Sequence, residues 1–161
     1  MNTNDVNVNK IFNLAIKNHK KNNFSEAEKL YRKILKTDPS HFNSIFYLAS
    51  LLAFQKKISE AKELLEKAIK IQPNSVSAHS NLGVLLLELG DLHGALSSLQ
   101  NATQLDPSHI SSKNNLAALL RSSQLRKVNI NNNTNYNLKT LFLMLFRRND
   151  IHHAEIFRKA K

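Results

Sequence analysis

Cysteine is absent from the 161-residue chain, so disulfides and thiolate metal sites are excluded. No apolar run approaches the ~20 residues that a membrane-spanning helix requires. The longest runs are Val84 to Leu87 and Leu141 to Phe146. The start, Met1-Asn2-Thr3-Asn4-Asp5, lacks the basic and apolar regions of a secretory signal. These absences favour a soluble, cytoplasmic protein. Glycine and proline are scarce, with three of each. No glycine-rich loop is therefore present to cradle a phosphate, and neither a nucleophile motif nor a zinc spacing appears. The expectation is a protein that is not an enzyme and holds no metal and no cofactor. His152 and Glu155 share a helical face, but no third metal ligand accompanies them, and a solvated helix start is the simpler reading.

Acidic residues are also in deficit, and the net charge is +11. Residues 8 to 41 carry eight basic and three acidic groups, and residues 42 to 75 five and three. Residues 76 to 109 carry no lysine or arginine and three acidic groups, whereas residues 110 to 161 carry ten basic and two acidic. An anionic polymer or membrane surface is thus one conceivable partner, through the basic C-terminal segment. The charge forms no continuous stripe, however, and the abundance of Asn, Lys and Ile is what a coding bias toward A and T produces without any binding function. A nucleic-acid partner is not favoured.

What the chain does contain is a repeat. Phe24-Ser25-Glu26-Ala27 runs through Tyr31 and Ile34 to Asp38-Pro39; Ile58-Ser59-Glu60-Ala61 runs through Leu65 and Ala68 to Gln72-Pro73; Leu92-His93-Gly94-Ala95 runs through Leu99 and Ala102 to Asp106-Pro107. The interval is thirty-four residues, and all three prolines keep one phase. A period of this length indicates a solenoid of stacked supersecondary units.

Each unit reads as two amphipathic helices. Ile11, Leu14, Ala15 and Asn18 follow helical spacing to about Lys21, and Asn22-Asn23 breaks the helix. Phe24 to Thr37 makes its mate, which Asp38-Pro39 stops, because proline disfavours the α region for the residue before it. Phe42 to Gln55 and Ile58 to Ile71 form the second pair, and Val76 to Leu89 and Leu92 to Leu105 the third. Gly90 suits a left-handed C-terminal cap and Asp91 an N-cap. The connector Asp38-Pro39-Ser40-His41 returns as Asp106-Pro107-Ser108-His109.

The division that follows is a disordered N-terminus at 1–7, repeats at 8–41, 42–75 and 76–109, and a partial fourth at 110–127. An Asn-rich linker at 128–137 and a C-terminal helical segment at 138–161 complete it. The fourth repeat fails where Asn129 replaces the alanine that is due.

In these residues the chain resembles the tetratricopeptide repeat (TPR) family. Ile11, Leu14, Ala15, Ala27, Tyr31 and Pro39 match its pattern, as do Ile45, Leu48, Ala49, Ala61, Leu65, Ala68 and Pro73, and Leu82, Gly83, Leu86, Ala95, Leu99, Ala102 and Pro107. Asn18, Ile34 and His79 depart from it. The resemblance implies an all-α fold, a right-handed superhelical solenoid of antiparallel helix pairs, whose first helices line a concave groove for peptides. It also implies a protein-protein interaction scaffold.

At the sixth position of each repeat stand Asn13, Tyr47, Asn81 and Asn115. This column is similar to the asparagine ladder of O-GlcNAc transferase, in which side-chain amides hold the backbone of an extended peptide. An amide both donates and accepts, so such a column binds backbone without reading sequence. Phe12, Phe46 and Phe54 lie beside it and would add apolar pockets, or else pack between helices. The basic and asparagine positions of the carboxylate clamp found in chaperone-binding TPR domains fall on Phe12, Ile16, Tyr47, Ser77 and Asn81, of which only Asn81 is usefully polar, so a chaperone-tail adaptor is not implied. A second implication is the N-terminal recruiting module of a larger bacterial glycosyl-, sulfo- or methyltransferase, with the catalytic part elsewhere.

Overall fold

The computed structural model describes the backbone of residues 3–129 and the side chains of residues 6–122. It contains seven helices among the described residues: α1 (Thr3–Lys20), α2 (Phe24–Thr37), α3 (Phe42–Phe54), α4 (Ile58–Ile71), α5 (Val76–Glu88), α6 (Leu92–Leu105) and α7 (Ile110–Asn129). The fold is all-α and of the helical-repeat class, built from antiparallel pairs. The helix α1 begins at Thr3, so residues 3–7, expected to be disordered, belong to it. Likewise α7 runs into the expected linker. The remainder of that linker and the 138–161 segment lie outside the described residues.

The chain divides into two compact units, Met1–Asn74 and Ser75–Lys161. In the first, α1 packs on α2, α2 on α3 and α3 on α4. Small residues stand where paired helices approach: Ala15 and Ala27 in one pair, and Ala49 and Ala61 in the other, are fully buried. Around them Tyr31, Ile34, Ile45, Leu48, Leu52 and Leu65 close the core, each at most 1% exposed. Leu14 matches Leu48 in repeat phase but is 49% exposed. The reason is local: α3 lies against the preceding α2, and α1 has no such neighbour among the described residues.

In the second unit α5 packs on α6, and α7 against both. Gly83, Ala95, Leu99 and Ala102 are buried at the α5–α6 crossing, with Leu85 and Leu119 closing the unit's core.

The connectors explain where the helices stop. Asp38 is extended (φ −129°), as a residue before proline must be, and its Oδ1 accepts from the Ser40 N–H (3.0 Å) and hydroxyl (2.8 Å). The turn then delivers His41, whose Nδ1 accepts from the Ser44 N–H at 3.2 Å and so caps α3. The second copy does the same: Asp106 Oδ1 accepts from Ser108 N–H (2.8 Å) and Oγ (2.6 Å), and the Ser112 N–H donates to His109 Nδ1 at 3.3 Å. Accepting at Nδ1 places the ring proton on Nε2.

These hydrogen bonds hold the Asp38 and Asp106 carboxyls below their ordinary value of 3.8, the serine hydroxyl being the main cause in each. At Glu28 burial pushes the carboxyl upward, but hydrogen bonds from Arg32 (2.9 Å) and Lys57 (3.2 Å) outweigh it and leave the group below 4.5. A carboxylate with a depressed folded-state value stabilises the fold above its unfolded-state value and loses that contribution as pH falls through the folded one. The urea midpoint should therefore decline below about pH 4.5. Asp38→Asn combined with Asp106→Asn should flatten that decline in a pH series of urea melts.

Three first helices end in the same left-handed turn. Asn22 (φ 60°), Lys56 (φ 63°) and Gly90 (φ 81°) occupy equivalent places. In each, the next residue's N–H reaches back five residues: Asn23 to the Asn18 carbonyl, Lys57 to Leu52 and Asp91 to Leu86, all at 2.9 Å. This is the Schellman closure, which favours glycine because a Cβ is strained there. Lys56→Gly removes roughly 1 kcal/mol of left-handed strain, partly offset by glycine's greater freedom when unfolded. The expected net gain of up to about 1 kcal/mol would appear as a raised urea midpoint.

Candidate protein-binding site

The first unit holds an uninterrupted set of aromatic rings, and the spacing of α1 to α3 creates it. Phe12 and His19 project from α1, Phe24 and Tyr31 from α2, and Phe42, Phe46, Tyr47 and Phe54 from α3, with His41 at its cap. Tyr31 is the hub. It is fully buried, stacks on Tyr47 (centroids 6.2 Å, 13° between planes) and meets Phe12 at 6.1 Å. Its hydroxyl lies 3.3 Å from Nδ1 of the buried His19. Burial, with the nearby Tyr47 phenol adding to it, pushes the Tyr31 phenol well above its ordinary value; burial alone does so at Tyr47.

Phe12 is half-buried, with His41 at 5.4 Å and Tyr47 at 5.8 Å. Tyr47 is half-buried and meets Phe46 edge-on at 5.7 Å, and Phe46 stacks with Phe42. Phe12, Phe46 and Tyr47 thus come together as one half-exposed aromatic face on α1 and α3. Phe54 does not join them. It contacts Phe24 at 5.1 Å, near the turn between α1 and α2, and is 60% exposed. Asn13 is exposed on α1 beside Phe12.

Asn81 and Asn115 lie in the second unit. Asn81 is half-buried on α5, whereas Asn115 on α7 is only 4% exposed. Helix phase aligned the column in sequence, but the depth of each amide differs. Three residues escaped the sequence reading. His41 and His109 act as caps, and histidine is an uncommon cap whose only signal was the repeated Asp-Pro-Ser-His string. Asn18, a departure from the repeat pattern, donates to the Leu14 carbonyl (2.9 Å) and accepts from the Asn23 amide (3.0 Å), tying the end of α1 to its turn.

Chemically, the aromatic face offers stacking and apolar contact with amide groups at its margin. Among the described residues no cluster of His, Asp or Glu is arranged to hold a metal ion. None of the described helices is long and apolar enough to cross a membrane.

Paired helices of this length and phase, with small residues at their crossings, define a tetratricopeptide repeat protein. Residues 20–102 match the family described as anaphase-promoting complex, cyclosome, subunit 3, and the chain belongs to that family. Solved structures agree on the fold. An O-GlcNAc transferase mutant from Thermobaculum terrenum matches with TM-score 0.70 and 21% identity over 74% of this chain, which spans 23% of that one. The first TPR of Spaghetti (RPAP3), bound to the HSP90 peptide SRMEEVD, matches with TM-score 0.69 and 20% identity, covering 73% of this chain and 93% of that one. The Sgt2 TPR domain from Aspergillus fumigatus gives 0.70 and 18%, covering 81% and 87%. No curated protein sequence matches the chain.

Proposed function

We propose that this protein is a non-catalytic interaction scaffold that binds an extended protein segment along its first helices. The observation that carries the reading is the half-exposed face of Phe12, Phe46 and Tyr47 with exposed Asn13 at its margin. Aromatic rings supply contact area at low entropic cost, and amides pair with a peptide backbone in either sense. Phe12, Asn13, Phe46 and Tyr47 take part as binding groups of the first unit; in the second unit Asn81 on α5 is the more accessible of the column's two amides. A TPR solved with a peptide bound has this fold, which supports the reading. The clamp positions here include Phe12, Ile16 and Tyr47, so apolar and backbone contacts replace carboxylate pairing.

The test is selection of peptides from a random display library against the whole chain, followed by calorimetry of the enriched sequences. Asn13→Ala with Phe46→Ala should weaken them roughly tenfold or more, the worth of a lost hydrogen bond together with a lost ring contact. Helicity by circular dichroism should not change. Enriched peptides that bind the double variant as well as the wild type would overturn the assignment.

A second reading is a recruiting module within a larger transferase. It is supported by the likeness to part of an O-GlcNAc transferase chain. Reading the native transcript beyond Lys161 tests it, and an immediate stop codon would remove it.

A further inference from the structure

The rings of the first unit exceed what the repeat asks for. At the fifth repeat position stand Phe12 and Phe46, where the third and fourth repeats have Ser80 and Asn114. The first and sixth positions of the second repeat hold Phe42 and Tyr47, where the third has Val76 and Asn81. Helices α5 and α7 form with the smaller residues, so helix pairing does not demand these rings. Phe12, Phe42, Phe46 and Tyr47 all stay half-buried, with Phe42 and Phe46 stacked at 6.1 Å (12° between planes).

The face is also uncharged, in a chain of net charge +11. Helix α3 contains no Asp, Glu, Lys or Arg, and Val8, Asn9, Ala15 and Ile16, one turn either side of Phe12 on α1, carry no charge. Asp38, in the turn before α3, is engaged by Ser40. Charge complementarity therefore selects an uncharged segment. It disfavours single-stranded nucleic acid, whose binding sites combine aromatic stacking with cations for the phosphates.

Polar groups on this face remain open. His41 Nδ1 accepts from the Ser44 N–H at 3.2 Å, so the ring proton sits on Nε2, and the ring packs beside Phe12 at 5.4 Å. Neither His41 Nε2 nor the Tyr47 hydroxyl has a hydrogen-bond partner among the described residues, and neither is sealed from solvent. The cap thus makes Nε2 a donor of fixed sense at the edge of the rings.

We infer that this face takes a proline-rich segment in the polyproline II conformation, its rings against Phe12, Phe46 and Tyr47 and its backbone carbonyls accepting from the His41 Nε2–H and the Tyr47 hydroxyl. A run of prolines carries no charge, brings carbonyl acceptors without N–H donors, and is extended before it binds, so it loses little conformational entropy. The inference rests on the scaffold reading above and names the chemistry of the bound segment. It also makes His41 a binding residue as well as a cap.

The probe is a capped oligoproline titrated into the whole chain and followed by amide shifts in ¹H–¹⁵N spectra, beside a capped glycine–serine peptide of the same length. Shifts should concentrate at Ile11 to Asn13 and at His41 to Tyr47, and the glycine–serine peptide should bind about tenfold more weakly or worse. Affinity should change less than about twofold between low and high salt, because no ion pair takes part. Tyr47→Phe keeps the ring and should weaken binding roughly threefold to tenfold, the worth of one hydrogen bond. His41→Ser separates binding from capping. Ser75 occupies the equivalent place in the third repeat and caps α5 through its Oγ, which accepts from the Ala78 N–H at 3.3 Å, so serine at 41 retains a cap while the Nε2–H is removed. Affinity should fall by a similar factor with helicity unchanged, whereas a purely structural histidine would leave affinity as it was.

The inference falls if oligoproline does not bind, if the glycine–serine peptide binds equally, if raised salt abolishes binding, or if either Tyr47→Phe or His41→Ser leaves affinity unchanged. Should oligoproline fail while peptides without proline, selected from the display library, shift these same amides, the scaffold reading stands and this one is removed. Self-association through this face that oligoproline fails to displace would also overturn it.

Discussion

Tyr31→Ala should lower stability by about 3–5 kcal/mol, the loss found when a large buried ring is truncated. The side chain is fully buried and meets Phe12, His19 and Tyr47, so truncation removes one ring and loosens the contacts of three others. Tyr31→Phe keeps the ring and removes only the hydroxyl near His19, and it should lose about 1 kcal/mol. The two variants thus divide ring packing from hydrogen bonding in one series of urea melts. Natural domains are stable by only ~5–15 kcal/mol, so the alanine variant approaches the limit at which α1 and α2 stay docked. Hydrogen exchange should then show amides of α1 to α3 losing protection. A melt in which Tyr31→Ala and Tyr31→Phe lose the same amount would contradict the hub role.

The frame of this protein is legible in its sequence because the repeat states each requirement three times. The alanines at 15, 27, 49, 61 and 95 are fully buried, the left-handed turn at Gly90 has φ 81°, and Asp91 accepts from the Gly94 N–H at 2.9 Å. Such features follow from residue types with few alternatives. Lys56 and Asn22 adopt the same turn without the glycine that would announce it, and only their alignment with Gly90 gives them away. Depth is harder still. Helix phase puts Leu14 and Leu48 on one stripe, but burial depends on a neighbouring helix that phase does not describe. The same holds for the candidate site. Phase groups Asn13, Asn81 and Asn115, yet one is exposed, one half-buried and one buried. The aromatic chain was visible only in part, because Tyr31 read as one position of the repeat pattern and nothing in the repeat pointed to His19, whose ring lies beside it. Composition did hold one clue: no Phe or Tyr occurs between Phe54 and Tyr136.

Gly83→Val should destabilise the second unit by about 3 kcal/mol, the upper part of the range for overpacking. At this point α5 and α6 come so close that a Cβ on residue 83 would lie 2.6 Å from Leu99 Cγ, 2.9 Å from its Cδ2 and 3.3 Å from the Ala95 carbonyl oxygen. Leu99 is fully buried, so its side chain has nowhere to swing, and the carbonyl belongs to a helix backbone. Gly83→Ala is the informative intermediate, because two effects of opposite sign meet there. Replacing glycine inside a helix stabilises by about 1 kcal/mol, whereas the clash with Leu99 opposes it by ~1–3 kcal/mol. The contact distances decide the sign, since 2.6 Å to a branched, enclosed carbon leaves no room for relaxation short of moving α6. A net loss is expected, and Leu99→Ala in the Gly83→Ala background should lose less than Leu99→Ala alone, because the new methyl fills space that the leucine vacates. Equal losses in the two backgrounds would mean that residues 83 and 99 do not share that space, and the tight crossing of α5 and α6 would have to be abandoned.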